Sequence, residues 1–330
     1  MAEPLDHEYV ATVFTDHFDA RDRAYPPAPL EGDDAFRRPR ELFIDAIFAE
    51  QVEPQTSVGF DLYRGLAEPT RQQKGEECTG FALAAIADFH QRKDLSPDAL
   101  RALPYDDRAA LTASRRMLYE MAQLYDGVDF PEGSTLRGAL RGWRQLGVSS
   151  DLLWPYDPDD EHGKKHGRLT MSRLTDAVAR PGGFYYRIEP HETGKIRDAL
   201  TRGFPLYASA VLHTGWYRLF LPGDDHVIRR EPGDEAKGGH AVVLVGYDEK
   251  GLWIHNSWGD RWADEGFAQI TWDDWARDGR GVRFVVPPPH PRRAAAPEIP
   301  EPPPDPVGDL EEMWRHIVTV GDDGRLAASG

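Results

Sequence analysis

The sequence is poor in cysteine, with one in 330 residues. A single thiol closes no intramolecular disulfide, and such scarcity favours a reducing compartment over a secreted setting. Positive charge is also in deficit: 39 Lys and Arg face 56 Asp and Glu, a formal charge of −17. That balance argues against a nucleic-acid partner, and no basic patch stands out. Long apolar runs are missing. Stretches such as Ala241 to Val245 fall far short of a bilayer crossing, so no membrane partner is expected. Met1 to His7 shows neither the basic start nor the apolar run of a signal peptide. The expectation is a soluble, cytoplasmic protein. His162, His166, His213 and His226 lack the paired spacing of metal ligands and read as solvated or loop histidines. No metal and no cofactor is expected.

What is present is a globular composition, 40% hydrophobic and 11% aromatic, in a chain long enough for a core divided over two lobes. Residues 1–56 mix a Pro- and Asp-rich stretch (16–29) with the ELFIDAIFAE segment at 41–50, and read as an arm on the main body or a pro-like segment. Residues 57–180 look mainly helical. Ser96-Pro97-Asp98 is a helix start with Ser at the cap and Pro at the first position. The stretch 109–125 carries Leu111, Met117, Leu118, Met121 and Leu124 at helical spacing. A further helix, Leu136 to Leu146, opens after Glu132-Gly133-Ser134-Thr135 and stops at Gly147. Residues 181–286 turn to β propensity, with strands expected at 184–188, 205–212, 241–247, 252–256, 267–271 and 282–286, and a short helix at 195–202. Helices followed by strands give an α+β class. Residues 287–306 form a Pro-rich linker, and 307–330 a tail that folds back or begins a further domain.

Two stretches carry chemistry. Cys78 stands where the polar loop Arg71 to Glu77 meets a run of apolar helix formers, Thr79 to Phe89. A thiol in the first turn of a helix meets unpaired N–H groups and the positive end of the macrodipole, which favour a thiolate. The competing reading is a small buried hydrophobe. Downstream, Gly238-Gly239-His240-Ala241 opens a strand. A turn at 248–251 returns the chain through Leu252-Trp253-Ile254-His255-Asn256-Ser257-Trp258-Gly259. The hairpin brings His240 and Asn256 within a position or two of facing each other, while His255 points the other way. An asparagine carbonyl can orient an imidazole so that its other nitrogen takes a thiol proton. Alternatively, both side chains merely satisfy backbone groups in a buried hairpin.

Together these elements resemble the papain-like cysteine peptidases. The likeness rests on Gln72 six residues before Cys78 and on His240 in Gly-Gly-His-Ala. Asn-Ser-Trp-Gly at 256–259, followed by Trp262 and Gly266-Phe267, completes it. The separation 256 − 240 = 16, Pro205 before its strand, and Trp154-Pro155-Tyr156 agree with it. The match spans roughly residues 57–286. It implies a two-lobe fold, with the cysteine helix in a helical N-terminal lobe, a β-barrel-like C-terminal lobe, and the active site in the cleft between them. It further implies a Cys78, His240 and Asn256 triad acting on a peptide or protein substrate through a thioester, as thiolate and imidazolium. Gln72, with Gln73 as fallback, and the Cys78 N–H would line an oxyanion hole. Substrate contacts would come from Gly133, Ser134, Ser209, Gly239 and Trp258. The chain departs from the pattern at Thr79, where a bulky residue usually follows the cysteine. It departs again at Glu76 and Glu77, whose charges oppose thiol ionisation or favour basic substrates. Acyl transfer through the same thioester and a non-catalytic module on the same scaffold are the competing functions. Oligomeric state leaves no trace in the sequence.

Overall fold

The computed structural model describes residues 52–67, 75–126, 133–157, 168–221, 223 and 225–286, together with short strands at 23–24, 318–320 and 326–328. Gln72, Gln73, His162, His166, the 41–50 segment, the Pro-rich linker and the helix signal at 310–316 lie outside the described residues.

The first half is helical. Its helices are α1 (Asp61–Leu66), α2 (Cys78–Arg92), α3 (Pro97–Ala102), α4 (Tyr105–Ala110), α5 (Arg115–Asp126), α6 (Leu136–Leu146) and α7 (Met171–Val178). Local chemistry sets several ends. Ser96 Oγ accepts the Ala99 N–H at 3.1 Å with Pro97 in the first position of α3. Thr135 Oγ1 accepts the Gly138 N–H at 2.9 Å at the start of α6. These caps satisfy N–H groups that the helix itself leaves unpaired. The continuous pattern from Ala109 is broken between α4 and α5. Asp88, buried in α2, takes the Ala113 N–H at 2.6 Å, and the Ser114 N–H goes to Ser149 O at 2.8 Å. A long-range acceptor thus wins over helix continuation.

Gly147 ends α6 at φ +77, and a Cβ there would lie 1.9 Å from the Ala177 carbonyl oxygen. Both the backbone conformation and the contact with the end of α7 demand glycine. Gly147→Ala is expected to cost about 3 kcal/mol of stability, read from denaturant unfolding midpoints.

The second half supplies the sheet. Strands β1 (Arg23–Ala24), β2 (Phe184–Ile188), β3 (Leu206–His213), β4 (Val227–Ile228), β5 (Ala236–Tyr247), β6 (Gly251–His255), β7 (Phe267–Thr271) and β8 (Gly279–Val286) run in the order β1-β2-β8-β3-β5-β6-β7-β4. The sheet is open, where the sequence suggests a barrel-like lobe: β1 and β4 are its edges. Three helices interleave with it: α8 (Thr193–Thr201), α9 (Thr214–Arg218) and α10 (Trp272–Asp278). A hairpin of β9 (Val318–Val320) and β10 (Leu326–Ala328) pairs apart from this sheet. The central strand β5 is buried from His240 to Tyr247, so its run of Ala, Val and Leu needs no polar face. Helix α2 lies between α5 of the helical lobe and β5 of the sheet lobe. It is apolar on nearly every face because it is covered on nearly every face. Among the described residues no helix is long and apolar enough to cross a membrane.

Candidate active site

Cys78 is the first residue of α2 and is fully buried. The next residue ties that turn to both lobes. Thr79 Oγ1 and Ser134 Oγ share a short hydrogen bond, and the Tyr207 hydroxyl in β3 donates to the Thr79 carbonyl at 2.9 Å. A backbone N–H at Ala241 reaches the Cys78 sulfur, which places the thiol beside the strand residue that follows His240.

His240 is buried in β5, and its Nε2 lies 2.6 Å from Asn256 Oδ1. Asn256 follows the last residue of β6, where His255 pairs across from Val243. The Ser257 N–H donates to the same Oδ1 at 2.8 Å, which fixes that atom as the carbonyl oxygen. Nε2 must then be the donor, so the neutral ring keeps its lone pair on Nδ1. Among the described residues Nδ1 makes no hydrogen bond and remains open to a thiol proton.

Aromatic rings seal this bond from water. Trp258 lies 5.0 Å from the His240 ring, and Trp216 meets that ring edge-on at 5.8 Å. Tyr217 and Phe220 stack on Trp258 at 5.2 and 6.0 Å. His255 faces away, its Nδ1 3.0 Å from the Tyr63 hydroxyl and its ring stacked on Phe267. Burial pushes His255 down to about 3, so it is a neutral packing residue.

Exclusion of water dominates the electrostatics. Burial pushes the Cys78 thiol up to about 12, opposed by the backbone N–H groups of Ala241 and Thr79. Burial also pushes His240 down to about 4, opposed by its bond to Asn256. Both shifts oppose a lone charge on either group, whereas opposite charges formed together on the pair would attract each other. The Glu76 charge does raise the thiol, as the sequence suggests. Glu77 is different: it is buried and its Oε1 accepts from Arg116 at 2.7 Å, while Arg116 also bonds Glu120.

Burial raises Glu77 to about 7, against the pull of Arg116 and a hydrogen bond from Tyr156. A carboxyl raised in the folded state favours folding while protonated. Its contribution is full below the ordinary value of 4.5 and is lost as pH rises through about 7. The loss amounts to about 3 kcal/mol. Glu77→Gln is expected to flatten that part of the stability profile, checked by denaturant midpoints between pH 4 and about pH 8.

The remaining expected site residues divide. Gly133, at φ +83, donates its N–H to the Tyr119 hydroxyl at 2.9 Å, and Ser134 is fully buried with its hydroxyl engaged by Thr79. The Ser134 side chain is thus committed inside the protein, and Gly133 is buried beside it. Ser209 is buried in β3 opposite Ala241 and Gly281. Gly239 is half-buried beside His240, opposite Val211. Trp258 is buried and covers His240, which is its part in the site. His213, expected in solvent or a loop, is fully buried at the end of β3 between Asp234 and Asp278. Distant chain supplies both carboxylates, so local sequence does not reveal them. Thr79, Tyr207 and Trp216 also belong to the site's framework; only Thr79 stands out in sequence, as a departure from pattern. Among the described residues no group of three or more His, Cys, Asp or Glu side chains is placed to hold a metal.

Residues 131–277 match the papain family of cysteine proteases. The chain is papain-like in sequence and in fold. An uncharacterised peptidase C1-like protein of Acanthamoeba polyphaga mimivirus is 25% identical over 219 residues, 63% of this chain and 66% of that protein. Cathepsin Q of Rattus norvegicus is 24% identical over 135 residues, 38% of this chain and 36% of its own length. Both alignments thus span less than two thirds of the relative. Among solved structures, xylellain, a cysteine protease from Xylella fastidiosa, superposes with a TM-score of 0.63 at 19% identity, over 85% of this chain and 97% of that one.

Proposed function

We propose that this papain-like chain is a cysteine peptidase that hydrolyses peptide or protein substrates in a reducing, cytoplasmic setting, with residues 57–286 as the peptidase domain. One observation carries the reading: an imidazole with Nε2 bound to Asn256 and Nδ1 open, on the strand whose next N–H reaches the only thiol. In this reading Cys78 Sγ passes its proton to His240 Nδ1 and attacks the scissile carbonyl. Transfer within the pair creates opposite charges side by side, so the dry site holds no net charge. The imidazolium then protonates the leaving amine, leaving a thioester on Cys78. Water enters, gives a proton to His240, and releases the acid. The Cys78 N–H, in the first turn of a helix, serves the oxyanion together with the Gln72 amide.

The test is hydrolysis of a mixed peptide library by the full chain beside Cys78→Ala. Cleavage by the wild type alone is expected; equal cleavage by both would sink the reading. Products formed with an added amine acceptor separate hydrolysis from acyl transfer.

A further inference from the structure

His213 is one of three buried imidazoles among the described residues, with His90 and His255, that take no part in this chemistry. His213 closes β3, and its Nδ1 accepts the Gly215 N–H at 3.1 Å, capping the start of α9. An accepting Nδ1 puts the ring proton on Nε2, which lies 3.7 Å from Asp278 Oδ2. Among the described residues neither of those two atoms makes a hydrogen bond. The cap is close-fitted: a Cβ at residue 215 would stand 2.7 Å from His213 Cε1 and 2.2 Å from the Arg229 carbonyl oxygen. Helix α9 carries the rings that enclose the candidate catalytic imidazole. Trp216 lies 6.4 Å from the His213 ring and 5.8 Å, edge-on, from the His240 ring, while Tyr217 stacks on Trp258.

We propose that His213 is a positioning residue: by capping α9 it holds the Trp216 indole against His240 and keeps that imidazole aligned with Cys78. The proposal rests on the peptidase reading. It gives the site an acid sensitivity of its own. The charged groups around His213 are Asp234 before β5, Asp278 and Asp274 on α10, and Arg230 after β4. Arg218 on α9 is bound to Asp234, and Arg230 to Asp278, at 2.7 Å each. Burial lowers the His213 pKa while Asp278 and Asp234 raise it, and the neutral ring makes the cap. A proton on Nδ1 removes the acceptor for Gly215 and draws the ring toward Asp234, 3.9 Å from Nδ1. Acid therefore loosens α9 and the rings it carries.

Full-length His213→Leu and His213→Asn, with Cys78→Ala alongside, test this through kcat and KM across pH and through thermal unfolding. His213→Leu is expected to lose about 30-fold in kcat with KM within about twofold, because alignment and not binding is disturbed. His213→Asn keeps a side-chain oxygen for Gly215 and does not titrate. Its neutral-pH kcat should stay within about threefold of wild type, with activity persisting further into acid. Wild-type kcat in His213→Leu, or equal damage in both variants, overturns the proposal. Should His213→Leu fail to fold, Trp216→Leu must show the same kcat loss, and its absence overturns the proposal equally. Activity retained in Cys78→Ala would instead defeat the peptidase reading itself.

Discussion

Cys78→Ala is expected to lower kcat for peptide hydrolysis on the order of 100,000-fold while leaving the chain folded. The sulfur is the one atom removed, and it sits in the first turn of a helix whose burial rests on many other side chains, from Phe81 to Phe89. Its loss leaves a small gap, costing about 1 kcal/mol. Catalysis loses its covalent route altogether, because no second thiol exists in the chain. KM should change little, since the surfaces that grip substrate remain. Steady-state kinetics with a cleavable peptide, beside a thermal unfolding curve, measure both parts.

His240→Ala is expected to fall as far, and the double variant no further than either single change. Residues that act as a unit are not additive: without a base the buried thiol stays protonated, and without a thiol the base has nothing to activate. Burial raises the Cys78 thiol, so a base beside it matters all the more. The structure of the fold should survive, because Asn256 Oδ1 keeps the Ser257 N–H and Trp258 keeps its stacking with Tyr217. Kinetics of both single variants and the double variant check this. A double variant slower by the product of the two losses would show that the residues act independently.

The sequence carries the chemistry better than its setting. Strands 184–188 and 267–271 emerge with the boundaries read from β propensity, and the Ser96, Pro97 and Gly147 signals mark real helix ends. Those features are local, set by side-chain shape, capping and backbone freedom. The 16-residue spacing of His240 and Asn256 is also legible, because a two-strand hairpin leaves little choice in who meets whom. What escapes is decided by contacts over long separations. Asp88 breaks the helix expected from residue 109 by taking the Ala113 N–H. Arg116 reaches Glu77 from α5 and makes a buried carboxyl next to the thiol tolerable. Asp234 and Asp278 turn His213 from an expected solvent residue into a buried cap. Desolvation escapes too, and it opposes a lone charge on Cys78 or His240.

Cys78 as the nucleophile is tested most directly by the mass of the protein caught in turnover. Full-length protein mixed with a labile peptide ester and quenched in acid within the first turnover should gain the mass of the acyl group. Fragmentation should place that mass on Cys78, and Cys78→Ala should gain none. Turnover with no acyl mass on Cys78, or the same mass on another residue, would contradict it.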